Sequence, residues 1–296
     1  MKKQIKTLLA VSMLMQFVSL PILAEENEPE DPIVVEEEQT IEAEEVVVPE
    51  TNAEGDIASG ESKNISWKIR SDNKLIITGH GNWEGDLPPW YEYASQITSG
   101  DVTVDEITSL ANMFKDCTNL ETVDLWDCDS SNVTDMSNMF AGCSSIDAIR
   151  HLNRLVTSNV QDFSNMFSGC TSLYGIDTSR FDTSSATDMS GMFAGCSSVK
   201  NLDLTQFVTN NVQDFSNMFS GCTSFELISI MSFDPSSATD MSGMFAGCSS
   251  VKEIHINAPF STSHVEDFSN MFNGCVALTF FDINQLETSS AKNMSG

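Results

Sequence analysis

The dipeptide Met-Phe recurs seven times at a nearly constant interval, and this regularity restricts the chain to one kind of architecture. The copies begin at Met113, Met139, Met166, Met192, Met218, Met244 and Met271, in steps of 26 or 27 residues. The phrases NVQDFSNMFSGC and ATDMSGMFAGCSS each occur twice, which indicates duplication of a block of two units. A unit this short cannot bury its own apolar face. The units must therefore stack on one another as the coils of a solenoid.

Each unit combines a helical and an extended pattern of apolar residues. Met136, Met139, Phe140 and Cys143 are spaced as i, i+3, i+4 and i+7, which predicts one buried face of a short helix. Apolar residues two positions apart follow the cysteine, as in a strand with one buried face; examples are Leu202 with Leu204 and Ile254 with Ile256. The sequence therefore predicts an α/β solenoid with a parallel strand face and short helices.

These residues resemble those of a known family. The L-x-x-L-x-L pattern is typical of leucine-rich repeats, and the phrase D-[MF]-S-N-M-F-x-G-C-x-S-L resembles the BspA-type leucine-rich repeat of bacterial surface proteins. The segment ISWKIRSDNKLIITGHGNWEGDLPPWYEYASQIT resembles the amino-terminal cap of that family. The resemblance implies a right-handed leucine-rich-repeat superhelix preceded by a small β-rich cap. It also implies an exported bacterial surface protein that adheres to a protein or glycan on a host or neighbouring cell.

Four positions depart from the repeat pattern. Ser109 stands where later units have aspartate, and His151 and Thr178 replace the third apolar residue of the strand pattern. Pro235 enters a loop. We expect the units that contain these residues to be less regular.

The chain divides into four predicted segments. Residues 1–24 have three lysines, an apolar run and a final alanine, which predicts a secretory signal peptide; the alternative is an uncleaved membrane anchor. Residues 25–60 are predicted to be an acidic disordered spacer, because positions 25–56 hold 14 acidic residues and no basic one. The alternative for that segment is a tail that binds calcium or a partner. Residues 61–106 are predicted to form the cap, and residues 107–296 the solenoid, with about seven units and a truncated eighth.

The net charge of the chain and its predicted segments indicate where the protein is located and what it can bind. The formal net charge of −29 excludes nucleic-acid binding, which depends on lysines and arginines that displace counterions from phosphates. We expect a secreted or cell-surface protein without a membrane span once the signal peptide is removed. Related surface proteins often carry further repeats and a wall-anchoring tail. Attachment to the cell wall through a further carboxyl-terminal region is therefore an open alternative.

Two residue types recur once per unit. An aspartate precedes each helical pattern, and one acid per coil predicts helix capping in preference to calcium binding; the residues are Asp135, Asp162, Asp188, Asp214, Asp240 and Asp267. Cysteines share another position, at Cys117, Cys143, Cys170, Cys196, Cys222, Cys248 and Cys275, and Cys128 stands where other units have phenylalanine. Parallel side chains at strand spacing do not converge as a disulfide requires. We therefore expect a buried column of free thiols, without disulfides or zinc.

The remaining candidates lie on the strand face, where variable residues alternate with fixed apolar ones. The four histidines fall in different units without a recurring nucleophile or carboxylate pair, so we expect no enzymatic activity, no metal and no cofactor. Strand alternation instead predicts six ligand-binding residues: Trp126, Tyr174, Lys200, Lys252, His255 and Phe280. Three alternatives stay open: a structural cell-wall spacer without a ligand, a secreted hydrolase, and binding through the cap around Trp83, Trp90 and Tyr91.

Overall fold

A computed structural model describes residues 55–257 and 260–296. The strands are β1 (Ala58–Ser62), β2 (Ile65–Ile69), β3 (Lys74–His80), β4 (Ser99–Asp105), β5 (Thr122–Cys128), β6 (Ala148–Arg150), β7 (Leu227–Ser229) and β8 (Glu253–His255). Short 3-10 helices span Tyr91–Gln96, Leu152–Arg154 and Ile283–Gln285. These elements belong to a parallel β-solenoid of about seven coils, which confirms the predicted solenoid. The predicted signal peptide and most of the predicted spacer lie outside the described residues.

The amino-terminal strands and the first coils form one continuous six-stranded sheet. β1, β2 and β3 pair in antiparallel fashion, whereas β3, β4, β5 and β6 pair in parallel. β1 includes residues 58–60, which the sequence analysis placed at the end of the spacer. Trp90 is fully buried, and its indole N–H donates to the carbonyl of Met113 at 2.8 Å. The cap thus supplies both strand pairing and a buried aromatic anchor to the first coil.

Stacked phenylalanines form the centre of the solenoid. Consecutive rings lie 5.5 to 5.8 Å apart with their planes within 12° of parallel, and we call this set the phenylalanine column: Phe114, Phe140, Phe167, Phe193, Phe219, Phe245 and Phe272. The first six of these rings are completely buried. Each ring between the two ends of the column stacks on its equivalents in the coils on either side, so the repeat places identical side chains against one another along the axis.

The predicted helix requires a correction. Met136, Met139, Phe140 and Cys143 are fully buried as expected, but the described part of the chain contains no α-helix. Asn138 and the glycine at 142 have φ values of 54° and 78°, and these left-handed residues interrupt helical geometry every four residues. The segment is instead a chain of turns. Alternate N–H groups bond within the coil, as from Met139 to the carbonyl of Met136 at 3.3 Å, and the others bond to the next coil, as from Phe140 to the carbonyl of Met166 at 2.9 Å.

Each of the repeated aspartates forms the hydrogen bond expected of a helix N-cap, although no α-helix follows it. The Asp188 carboxylate accepts the N–H of Ser190, two residues ahead, at 2.8 Å, and the other five aspartates bond in the same way. Such a turn satisfies a backbone donor in the same manner as an N-cap. Burial raises the pKa of Asp214, and the neighbouring Asp188 and Asp240 add to that rise.

The strand pattern also requires a correction in the middle coils. Residues 174–178 and 200–204 are not strands, although their apolar spacing predicted them. Side chains there bond to the local backbone: Asp177 accepts the N–H of Ser179 at 3.2 Å, and Asp203 accepts that of Thr205 at 3.0 Å. Local side-chain bonds of this kind offer the backbone an alternative to the strand ladder.

A column of buried hydroxyl groups joins the coils on another side. It contains Ser130, Thr157, Thr183, Thr209 and Thr262, and each hydroxyl bonds to both the N–H and the carbonyl of a residue in the following coil. Thr183, for example, accepts from the N–H of Val208 at 2.8 Å and donates to its carbonyl at 2.9 Å. We call this set the hydroxyl column.

The cysteine column lies beside the phenylalanine column. All eight cysteines carry free thiols; seven are buried and Cys275 is partly exposed. The Cys143 thiol donates to the carbonyl of Phe114 at 3.0 Å, and the later cysteines bond similarly to the coil before them. Burial raises the pKa of Cys117, Cys128 and Cys170 to about 12. These thiols therefore act as small core side chains.

We expect the native protein to react slowly with iodoacetamide at neutral pH, because alkylation requires an accessible thiolate and burial opposes both conditions. Full reaction of all eight cysteines should require denaturant. Mass spectrometry after timed labelling measures this. Cys275 should label first, and Cys275→Ser should remove most of the early product. Rapid native labelling of the other seven would contradict the buried arrangement.

Candidate ligand-binding surface

The three aromatic residues predicted as ligand contacts are exposed. Trp126 is 53% exposed, Tyr174 71% and Phe280 55%. In β5 the alternation buries Val123 and Leu125 and leaves Trp126 outside. Tyr174 and Phe280 occupy the corresponding stretch of later coils. We use the term strand face for the surface formed by the exposed residues of β5 to β8 and of the equivalent segments between them.

Trp126 is the centre of a charged and aromatic cluster. The Arg154 guanidinium lies 4.0 Å above the indole centroid, a cation–π distance. The His151 ring meets the indole edge-on at a centroid distance of 4.7 Å. Its Nδ1 lies 2.7 Å from a carboxylate oxygen of Asp124, one residue before Leu125 in the same strand. Partial burial favours a higher pKa of the Asp124 carboxyl, but hydrogen bonds from His151 and from the Trp126 N–H outweigh it and lower the pKa.

A second group forms around Phe280. The His255 ring is edge-on to Phe280 at 6.5 Å, and its Nε2 lies 2.8 Å from a carboxylate oxygen of Glu253. A cavity of about 360 Å³ opens beside these rings; its lining includes Met231, which is 52% exposed, and Asp282. This part of the strand face is apolar with a polar edge.

The two predicted lysines differ in their surroundings. Lys252 forms an exposed ion pair with Glu226 at 2.7 Å. Lys200 contributes more weakly to the lowered pKa of the Glu226 carboxyl, after the hydrogen bond and charge of Lys252. The structure therefore joins His255 to Phe280 and Lys252 to Glu226, and it surrounds Trp126 with residues outside the predicted set.

Sequence reasoning missed the arginines on this surface. The basic residues among its six predicted contacts were Lys200, Lys252 and His255, whereas Arg154 covers Trp126 and Arg150 lies near Asp124. A signal was present, since three of the four arginines in the chain fall between positions 150 and 180. His151 also marked this unit as irregular. It adopts a left-handed conformation with φ of 62° and precedes the 3-10 helix that carries Arg154.

The structure argues against the alternative binding site on the cap, because two of its three aromatic residues are buried. Trp83 is 7% exposed and Trp90 is fully buried, so neither indole can contact a partner. The Tyr91 hydroxyl donates to the Asp116 carboxylate at 2.7 Å. These aromatics connect the cap to the first coil.

Two negative observations apply to the described part of the chain. Among residues 55–257 and 260–296, no group of three or more His, Cys, Asp or Glu side chains is arranged to hold a metal ion. Over the same residues, no helix has both the length and the apolar character to cross a bilayer.

A family model described as "Mycoplasma protein of unknown function, DUF285" matches the chain three times in overlapping ranges, over residues 92–206, 148–257 and 198–296. Together the matches cover more than half of the sequence. The chain belongs to the DUF285 family. The matched ranges include most of the coils and the strand face described above. The resemblance to BspA-type repeats in particular stays a prediction.

Three solved structures show a remote similarity to this DUF285 chain. A leucine-rich repeat protein from Eubacterium ventriosum ATCC 27560 is 15% identical, with 75% of this chain and 84% of that chain covered and a TM-score of 0.28. A leucine-rich repeat protein from Bacteroides ovatus ATCC 8483 is 14% identical over 78% and 77%, with a TM-score of 0.27. A leucine rich cell surface protein from Faecalibacterium prausnitzii A2-165 is 14% identical over 80% and 94%, with a TM-score of 0.24. No curated protein matches this chain.

Proposed function

We propose that this protein is exported to the surface of a bacterium and binds, without catalysis, a protein or glycan of a host or neighbouring cell. The strand face makes the contact. The exposure of Trp126, Tyr174 and Phe280 carries the proposal, because large aromatic side chains are the residues that most often anchor interfaces. The core positions of the coils repeat, whereas these exposed positions differ from coil to coil.

The energetic contrast between the two classes of aromatic residue supports this function. Phenylalanines of the column contribute to the stability of the coils, since they are buried. Trp126, Tyr174 and Phe280 leave more than half of their surface in water and contribute less to folding. Covering them with a partner would recover that apolar burial on binding.

The test replaces all three exposed aromatics with serine in the full chain, displayed on bacteria that do not otherwise attach to cells. Attachment to a fixed epithelial layer is measured by counting bound bacteria, with layers treated beforehand by protease or by periodate to separate protein from glycan partners. We expect the variant to keep its melting temperature within a few degrees and to lose attachment.

A matched control replaces three other exposed apolar residues, Ile57, Leu87 and Val208, which are 41% to 44% exposed. This control should attach like the wild type. Undiminished attachment by the aromatic variant would exclude the strand face. Absence of attachment by the wild type would instead favour the structural spacer.

A further inference from the structure

A second cavity lies next to the Trp126 cluster and shares Arg154 with it. Its volume is about 430 Å³, and its lining includes Asn153, Arg154, Val156, Arg180 and Asp182. Arg154 therefore has two neighbours at once, the indole of Trp126 and this cavity. Arg154 thus connects the cavity to the exposed indole.

The charge of this cavity is unusual for the molecule. The chain carries a net charge of −29, yet two arginines line the same small depression. Among residues 55–257 and 260–296, neither Arg154 nor Arg180 has a carboxylate oxygen within 4.0 Å, whereas Arg70 pairs with Asp72 at 3.2 Å. At longer range, the charge of Arg180 adds to the hydrogen bonds of Ser179 and Asn153 that lower the pKa of the Asp177 carboxyl. Two arginines that line one cavity without a close ion pair favour anion binding, because a guanidinium presents a planar fork of donors that matches a carboxylate.

The other lining groups are acceptors and an apolar wall. The Asp182 carboxylate accepts one N–H from Ser184 at 3.0 Å and keeps further lone pairs. Asn153 donates its amide N–H to Asp177 at 2.8 Å, so its side-chain oxygen is oriented by a fixed partner. Val156 is 45% exposed. The site thus combines cations, acceptors for hydroxyl groups and apolar surface.

We propose that this cavity binds a carboxylated saccharide, an acidic sugar unit within a glycan chain, with its carboxylate on Arg154 and Arg180. Its hydroxyl groups donate to Asp182 and Asn153, and the C–H face of the sugar packs against Val156 and the free part of the Trp126 indole. A segment rich in glutamate and aspartate fits less well, because it offers neither the hydroxyl groups that would donate to Asp182 nor the C–H face that would pack against Val156. This inference rests on the proposed function and names the chemistry of its glycan.

The test is isothermal titration of the full chain with two matched pairs of probes. One pair is trigalacturonic acid and the same trisaccharide with its carboxyl groups reduced to alcohols; the other is sialyllactose and lactose. We expect at least one acidic member to bind about tenfold or more tightly than its neutral counterpart. Arg154→Gln and Arg180→Gln should each weaken that binding about tenfold or more. Sodium chloride should weaken it further, because salt screens exposed charges.

Arg70→Gln serves as the matched control, since Arg70 lies in the cap and is already paired, and it should bind like the wild type. Three results would overturn the inference: no binding of either acidic probe, equal binding of acidic and neutral probes, or arginine-dependent binding of a polyglutamate peptide in place of the saccharides.

Cell attachment separates this inference from the proposed function. The Tyr174→Ser, Phe280→Ser double variant leaves the cavity unchanged, so its saccharide binding should equal that of the wild type. If the triple aromatic variant loses attachment while no acidic saccharide binds, the proposed function stands and this inference is wrong. If acidic saccharides bind through the two arginines while attachment is unaffected by every variant, the inference stands and the adhesive function is wrong.

Discussion

Replacing Phe193 with alanine is expected to lower the free energy of unfolding by about 4 kcal/mol. Phe193 is completely buried and stacks between Phe167 and Phe219, with both centroid distances equal to 5.8 Å. Its removal leaves a cavity with phenylalanine above and below. The neighbouring coils cannot close that cavity without losing their own register, because inter-coil hydrogen bonds hold them on both sides.

Urea unfolding followed by circular dichroism measures the loss. Phe280→Ala is the matched control, since Phe280 is 55% exposed, and it should change stability by less than about 0.5 kcal/mol. Hydrogen exchange should show the loss of protection concentrated in the coils next to residue 193, as expected for a fold in which each repeat contacts its neighbours. Equal effects of the two substitutions would mean that the column does not stabilise the coils.

Thr183→Val is expected to cost about 2 kcal/mol, although it changes the shape of the side chain little. The Thr183 hydroxyl bonds to both the N–H and the carbonyl of Val208 in the next coil. Valine removes both bonds and leaves those backbone groups without their partner. The penalty of an unsatisfied polar group, more than lost packing, accounts for the expected destabilisation.

Thr183→Ser provides the control for this prediction. Ser130 occupies the same position in an earlier coil and makes both bonds, to the N–H and the carbonyl of Val156, at 2.7 and 3.1 Å. Serine at position 183 should therefore retain most of the stability in urea unfolding. A serine variant as unstable as the valine variant would show that the methyl group, and not the hydroxyl, matters here.

The sequence predicted which residues are buried better than it predicted their backbone. The spacing of Met136, Met139, Phe140 and Cys143 correctly identified one buried face. The same spacing arises in a chain of turns, and periodicity alone cannot separate the two structures. The distinguishing information lay in Asn138 and the glycine at 142, residue types that tolerate left-handed backbone and recur too often for a continuous helix.

The strand face was predicted only in part, because periodicity along the sequence does not describe contacts between coils. Strand alternation depends on neighbouring residues, so it correctly predicted that Trp126 is exposed. The contact between Trp126 and Arg154 joins positions 28 residues apart and depends on the exact stacking of two coils of unequal form. A left-handed turn at His151 lies between the two positions and precedes the 3-10 helix that carries Arg154. The departure of His151 from the repeat was visible in the sequence, but the position of Arg154 over the indole was not.

The bonding between coils also determines how the molecule would respond to force. The aspartate positions pair in series along the described coils, from Ser109 through Asp135 and onward to Asn293, each with the next coil. A pull applied to the ends of the array is carried by every coil in series, and a terminal coil, which has a neighbour on one side only, is expected to detach first. Each coil that peels away would release about 90 Å of extended chain. Under the proposed adhesive function, a cell held by this protein in flowing liquid would meet a tether that lengthens in steps and dissipates work at each one.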